Sequence, residues 1–448
     1  MKQGFTPGPA PPDTAAAGLS VRPTSGVRCF VSNDGSEAAG IYASQAPARA
    51  SAAASVRTAG SARISEIEGI RGILSLIVVG GHVFIAGGWA ADRQPLFWYA
   101  GCMEVFFCIS GFLITRILLS NLGRPGFLKN YFIRRVLRIW PMYYFGMLFA
   151  LLVYAVSNGM TAMGEYHPWH PTLYEALAPV FYLQNLELYF GHPRLHELFI
   201  FNHSWSVAVE EQFYLIWPFV ILFVLRRSPP LLRLALGAAA ILLSMYLRSR
   251  MIYLGTFTYW LLATRLDGFI LGAFLAYLER AKVDGQAPAL LASKAFRWLW
   301  LWPCLGLLPF LSAGYLGLTW HLPGLLDKTL FEPFFNFALL GFCLIGYCLF
   351  YGSSVRSGGL LAWLLNLRPL AYLGTISYST YLLHVPIIFA VSPLLMNAYH
   401  LPRIWGFIFG YGLTLSLAHF SFNFIEAQAM RLKKRFSYAG GPRRPAVD

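Results

Sequence analysis

The chain has 448 residues, of which 57% are apolar, 16% aromatic and only 12% charged, with a formal charge of +15. Soluble domains run roughly 45–50% apolar and about 25% charged. The composition therefore excludes an ordinary soluble enzyme, a disordered protein and a disulfide scaffold. Most Lys and Arg sit between apolar runs, so the positive balance reads as membrane orientation and not as nucleic-acid binding.

Residues 1–63 are rich in Ala, Ser, Pro and Gly and carry no sustained apolar period. Such a segment buries too little surface to offset its ordering entropy and reads as a disordered tail. No compact apolar run follows a basic start, so no secretory signal is expected. Beyond residue 66 the pattern changes. A helix needs about 20 apolar residues to cross a bilayer, and ten runs qualify: about 67–88, 98–119, 139–157, 205–225, 231–248, 257–279, 298–318, 331–351, 372–395 and 403–428. The expected fold is an all-α integral membrane protein with a transmembrane domain over 64–430 and a basic cytoplasmic tail over 431–448.

The basic residues set its orientation. Arg116 closes the second run and Arg124, Lys129, Arg134, Arg135 and Arg138 follow it; Arg226, Arg227 and Arg233 fall after the fourth; Arg280, Lys282, Lys294 and Arg297 after the sixth. Arg356 and Arg368 follow the eighth and Arg431, Lys433, Lys434 and Arg435 the tenth, while the alternate connections hold few. The positive-inside rule then places both termini in the cytoplasm. Six cysteines include no CxxC pair, and neither a disulfide framework nor a metal site is expected.

Ionisable groups inside spans are costly, so each is a functional suspect. In the first run Arg71 and His82 are eleven residues apart. That is about three helical turns and about 16 Å, so both side chains share one face. His82 is a candidate general base, because an imidazole titrates near operating pH; the plainer reading is a core imidazole bonded to a neighbouring helix. Further on, Arg135 and Arg138 are i, i+3, and Arg134 and Arg138 are i, i+4. Guanidinium forks suit phosphates, while positive-inside anchoring explains the same cluster without a ligand.

Residues 158–204 form a long outer loop with five His, among them His203, and residues 173–190 are half apolar and suit the interface. A loop of that length is expected to cover a site. At the start of the fourth run stand Trp205, Ser206, Glu210 and Glu211. The carboxylates serve either the acceptor side of a reaction or a favourable helix N-terminus, and Trp205 either stacks on a sugar or belongs to the interfacial belt. Arg265 and Asp267 in the sixth run are i, i+2 and are expected to pair with other helices. In the ninth run Ser377, Tyr381 and His384 form a polar stripe at i, i+4, i+7, suited to substrate contact or to helix–helix bonding.

Five ordered motifs resemble the acyltransferase-3 family of integral membrane O-acyltransferases. They are Glu68-Gly69-Ile70-Arg71-Gly72 with His82; Phe106-Phe107 to Ser110-Gly111-Phe112-Leu113-Ile114-Thr115; Arg135 and Arg138-Ile139-Trp140-Pro141; Trp205-Ser206 to Glu210-Glu211-Gln212-Phe213-Tyr214; and Ser377-Tyr378 to Tyr381-Leu382 and His384. The resemblance covers about 66–430. Glu68 departs from the family's usual Asp. Residues 431–448 leave no room for the SGNH-type domain that some relatives carry, so the resemblance is to the stand-alone form.

The resemblance implies transfer of an acyl group, commonly acetyl from acetyl-CoA, to a hydroxyl of a surface or exported glycan, with no permanently bound cofactor. It implies a bacterial inner membrane and glycan-assembly proteins as candidate partners. Arg135 and Arg138, with Arg134 and Arg71, would hold the CoA phosphates. His82 would deprotonate the acceptor or carry the acyl group transiently. Glu68 would orient Arg71, Glu210 and Glu211 would stand at the acceptor side, and Trp205, Ser206, Tyr381 and His384 would contact the substrate. A succinyl or longer-chain transferase is the nearest alternative. A transporter or flippase for a lipid-linked glycan is the competing class, and a purely structural membrane partner of a glycan-assembly complex is a third.

Overall fold

The structure, a computed structural model, describes residues 64–86, 95–156, 177–189, 201–253, 260–286, 333–352, 359–400, 402–436 and 438. The N-terminal tail, the expected span 298–318, much of the outer loop and residues 439–448 lie outside the described residues. The described residues are helical with no strand. The elements are α1 (Ser65–Ala86), α2 (Pro95–Asn121), α3 (Phe127–Val156), the short α4 (Gln184–Tyr189), α5 (Trp205–Phe219), α6 (Pro230–Tyr253) and α7 (Leu266–Val283). They continue with α8 (Pro333–Tyr347), α9 (Gly359–Leu365), α10 (Arg368–Pro386), α11 (Ser392–Tyr399), α12 (Arg403–Ser421) and α13 (Ala427–Leu432). Seven helices among the described residues are long and apolar enough to cross a membrane, and Phe335–Phe350 is a shorter apolar helix.

Two boundaries differ from expectation for physical reasons. α3 begins at Phe127, twelve residues before the expected span, because the Lys129-to-Arg138 stretch is helical although its charges depress its hydropathy. The sixth expected span is divided into a short 3-10 turn, Leu262–Thr264, and α7. α5 and α10 each run into a π-helical turn, Val220–Leu225 and Ile387–Val391. Pro218 and Pro386 stand just before these turns; proline removes an N–H and crowds the carbonyl four residues back, which favours a wider turn.

Small residues set the closest helix contacts. A Cβ on Gly374 of α10 would collide with the Glu68 carbonyl of α1, and one on Gly272 of α7 would collide with the Cys108 carbonyl of α2. Without side chains there, the backbones approach closely, as packing inside a bilayer favours. The paired residues also give direction. Arg71 meets Ser377 and His82 meets His384, so α1 and α10 run parallel. Ser110 meets Glu210 and Trp217 meets Thr115, so α2 and α5 run parallel; Glu104–Arg265 and Arg116–Glu279 do the same for α2 and α7. These are the relative directions that the charge alternation requires of the first and ninth and of the second, fourth and sixth spans.

Candidate active site

The site lies where α1, α3, α5 and α10 meet. α10, its π turn and α11 form one continuous rod from Arg368 to Tyr399. His384 stands about 24 Å from one end and about 22 Å from the other at 1.5 Å per residue, so it lies near the middle of the rod. It is fully buried.

His384 Nδ1 lies against the Tyr381 carbonyl, 2.5 Å away. A carbonyl only accepts, so Nδ1 carries the hydrogen and the neutral ring presents a lone pair at Nε2. That nitrogen faces His82 Nδ1 at 3.2 Å, and His82 Nδ1 is also 2.9 Å from the Val78 carbonyl. Both neighbours accept, so His82 Nδ1 is the N–H donor and His82 Nε2 is the basic nitrogen. The two rings meet edge to face at 4.7 Å. His384 therefore orients His82 through a hydrogen bond, the part that an orienting group plays behind a catalytic imidazole.

The hydroxyls of the polar stripe serve α5. Tyr381 donates to the His203 carbonyl, so its single hydrogen is committed and Ser206 Oγ donates to Tyr381 Oη over 2.7 Å. Trp205, expected as a sugar platform or belt residue, is buried in the core beside Phe107.

At the other pole Arg71 Nη1 pairs with Glu68 Oε2 at 3.2 Å, and its Nη2 donates to Ser377 Oγ at 2.9 Å. The longer Glu68 in place of Asp keeps this contact within the helix. Arg138 is within electrostatic reach of Arg71, Arg135, Glu68 and Glu426. Arg135 lies over the Tyr214 ring. Neither Arg135 nor Arg138 forms an ion pair with a carboxylate among the described residues. Arg134 points elsewhere: it donates to the carbonyls of Lys433 and Phe436 and lies over the Tyr438 ring, so it holds the C-terminal end against α3.

Glu210 and Glu211, expected at the acceptor side, lie toward the guanidinium pole. Glu210 accepts from Ser110 at 2.6 Å and from Tyr214 at 3.1 Å, in the field of Arg71 and Arg138. Glu211 accepts from Trp140 and feels Arg135. They face the guanidinium pole because α5 runs antiparallel to α10. Going down α5, His203 matches His384, Ser206 matches Tyr381, and Glu210 falls near the level of Ser377. Arg265 and Asp267 pair with other helices as expected, with Glu104 of α2 and with Arg248 of α6 at 2.9 Å. Sequence reasoning named Ser110, His203 and Lys433 without giving them a site role and did not single out Glu426; His203, directly before the Trp205-Ser206 motif, was the one with a usable signal.

A family model described as an acyltransferase domain, acyltransferase-3, matches residues 64–420. The peptidoglycan O-acetyltransferase OatA of Listeria monocytogenes is 27% identical over 393 residues, covering 81% of this chain and 55% of that protein. The putative peptidoglycan O-acetyltransferase YrhL of Bacillus subtilis is 27% identical over 396 residues, with 81% and 54% covered. The O-acetyltransferase OatA of Staphylococcus aureus is 26% identical over 348 residues, with 72% and 51% covered. The chain thus spans about half the length of these relatives. No solved structure matches it. With the matched domain extending over most of the helical bundle and its site, the chain belongs to the acyltransferase-3 family.

Proposed function

We propose that the protein is a membrane O-acyltransferase that moves an acetyl group from acetyl-CoA on the cytoplasmic side to a hydroxyl of a glycan on the outer side. The observation that carries this reading is the His82–His384 pair. Two acceptors, the Val78 carbonyl and His384 Nε2, fix the hydrogen on His82 Nδ1 and so make Nε2 the base. The names of the relatives favour acetyl as the acyl group and peptidoglycan strands as the first glycan to test.

In the proposed reaction the acceptor hydroxyl gives its proton to His82 Nε2 as its oxygen bonds to the thioester carbonyl carbon. The C–S bond breaks, and the CoA thiolate takes the proton from the His82 imidazolium. His384 Nε2 and the Val78 carbonyl stabilise that imidazolium while it exists. Arg135 and Arg138, which make no ion pair with a carboxylate among the described residues, would hold the CoA phosphates with Arg71. The Arg71–His82 separation of about 16 Å along α1 is a length that an extended pantetheine arm can span.

The test uses purified full-length protein in detergent, labelled acetyl-CoA and soluble peptidoglycan strands. Label should reach the glycan with the wild type and not with His82→Ala. Equal transfer by both proteins would refute the assignment.

A further inference from the structure

His203 is 7% exposed and stands in the helical turn that leads into α5. Its carbonyl is held by the Tyr381 hydroxyl. Its ring packs edge to face on His384 at 5.0 Å and on Tyr381 at 5.3 Å. Three imidazoles therefore adjoin, with His384 touching both His82 and His203.

The hydrogen bonding of His203 is incomplete. Neither ring nitrogen meets a hydrogen-bond partner among the described residues. The groups that act on the ring are His82, whose Nδ1 hydrogen is already committed to the Val78 carbonyl and His384, and the carbonyls of Leu382 and Tyr381. The Leu382 carbonyl is the one whose helical donor Pro386 removes. Carbonyls accept, and a neutral imidazole has a single N–H. Whichever nitrogen carries that hydrogen, the other is a lone pair, and no donor among the described residues reaches it. A buried lone pair of this kind calls for a donor beyond the described residues, and a bound substrate is one that can supply it. The reacting thioester carbonyl has no N–H or O–H of its own, whereas a sugar ring with more than one free hydroxyl has one to donate besides the one attacked.

We propose that His203 is a substrate-facing residue that accepts a hydrogen bond from a second hydroxyl of a polyol acceptor, while His82 takes the proton of the hydroxyl that is acylated. The inference rests on the acyltransfer reading and adds to it a substrate class, an acceptor with at least two hydroxyls on one ring. His384 then holds both substrate-facing imidazoles in register, one through its Nε2 hydrogen bond and the other through ring packing.

His203→Phe keeps a planar ring and deletes the lone pair; His203→Asn restores an accepting oxygen. Both are made in the full chain and assayed with acetyl-CoA and two acceptors, soluble peptidoglycan strands and ethanol. For the glycan, His203→Phe should raise the acceptor KM about tenfold, the order expected for one buried hydrogen bond, and His203→Asn should recover part of it. For ethanol, which has no second hydroxyl, wild type and both variants should match, and the donor KM should be unchanged throughout. An unchanged glycan KM in His203→Phe, or equal losses with both acceptors, would overturn the proposal and leave a packing role. If the wild type transfers no more than His82→Ala, the acyltransfer reading itself falls.

Discussion

The Arg71 guanidinium of α1 reaches the Ser377 hydroxyl of α10 over 2.9 Å, and seven residues further along α10 the His384 ring meets His82. Two parallel helices thus share a cationic pole and an imidazole pole, tied to each other at both. Packing that holds one contact also holds the other, because Gly374 lets α10 lie directly on the Glu68 backbone. The account expects donor binding and proton transfer to respond separately to substitution at each pole.

Removing His384 should lower kcat by about 10²-fold and leave the donor KM nearly unchanged. The loss arises because His82 keeps its ring and loses the acceptor that fixes its tautomer. A general base is itself worth about 10²–10⁴-fold, so His82→Ala should cost at least as much. The double variant His82→Ala/His384→Ala should be no worse than His82→Ala, since residues acting as one unit are not additive. Steady-state kinetics on the three proteins checks this.

Arg138→Ala should raise the apparent KM for acetyl-CoA by tenfold or more with little change in kcat. A charge-assisted hydrogen bond is worth about 1.5–3 kcal/mol, or about one to two decades. Arg134→Ala should leave the donor KM unchanged, because Arg134 is engaged by the carbonyls of Lys433 and Phe436. Donor titrations at saturating acceptor separate the two.

The Glu104–Arg265 pair is fully buried on both sides. Removing one partner leaves a buried charge uncompensated, which typically costs about 3–5 kcal/mol, whereas replacing both with apolar residues of similar volume is often neutral. Glu104→Leu alone should therefore lower the melting temperature in detergent markedly, and Glu104→Leu/Arg265→Met should return most of it.

Burial and the neighbouring Arg135, Arg138 and Arg134 pull the Lys433 ammonium down to about 6. Its ordinary value is about 10.4, so between those values the unfolded chain binds a proton that the folded chain does not. Folding stability should then rise with pH across that window and level off below about 6. Melting curves at pH 6, 7.5 and 9 should show this rise in the wild type, and Lys433→Met should flatten it.

Much of the architecture was legible in the sequence. The Arg71–His82 face follows from helical period alone, and the alternation of Lys and Arg gave helix directions that agree with the paired residues of α1 and α10 and of α2, α5 and α7. The i, i+2 spacing of Arg265 and Asp267 pointed to partners on other helices, though not to Glu104 and Arg248, since sequence carries no helix-packing order. The start of α3 was hidden because Lys129 to Arg138 depress hydropathy without interrupting the helix. The level of Glu210 and Glu211 was not legible, because sequence does not show that α5 starts level with His384, near the middle of the rod. The same cause left His203 among the histidines of a loop: its neighbours are polar, and only the fold shows that its turn is buried against His384.

The most direct measurement is the appearance of labelled acetyl on a glycan in the presence of acetyl-CoA, with wild type and His82→Ala compared at matched folding and expression. The account predicts label on the glycan with the wild type and a loss of about 10²–10⁴-fold with the variant. Undiminished transfer by a stably folded His82→Ala protein would contradict it.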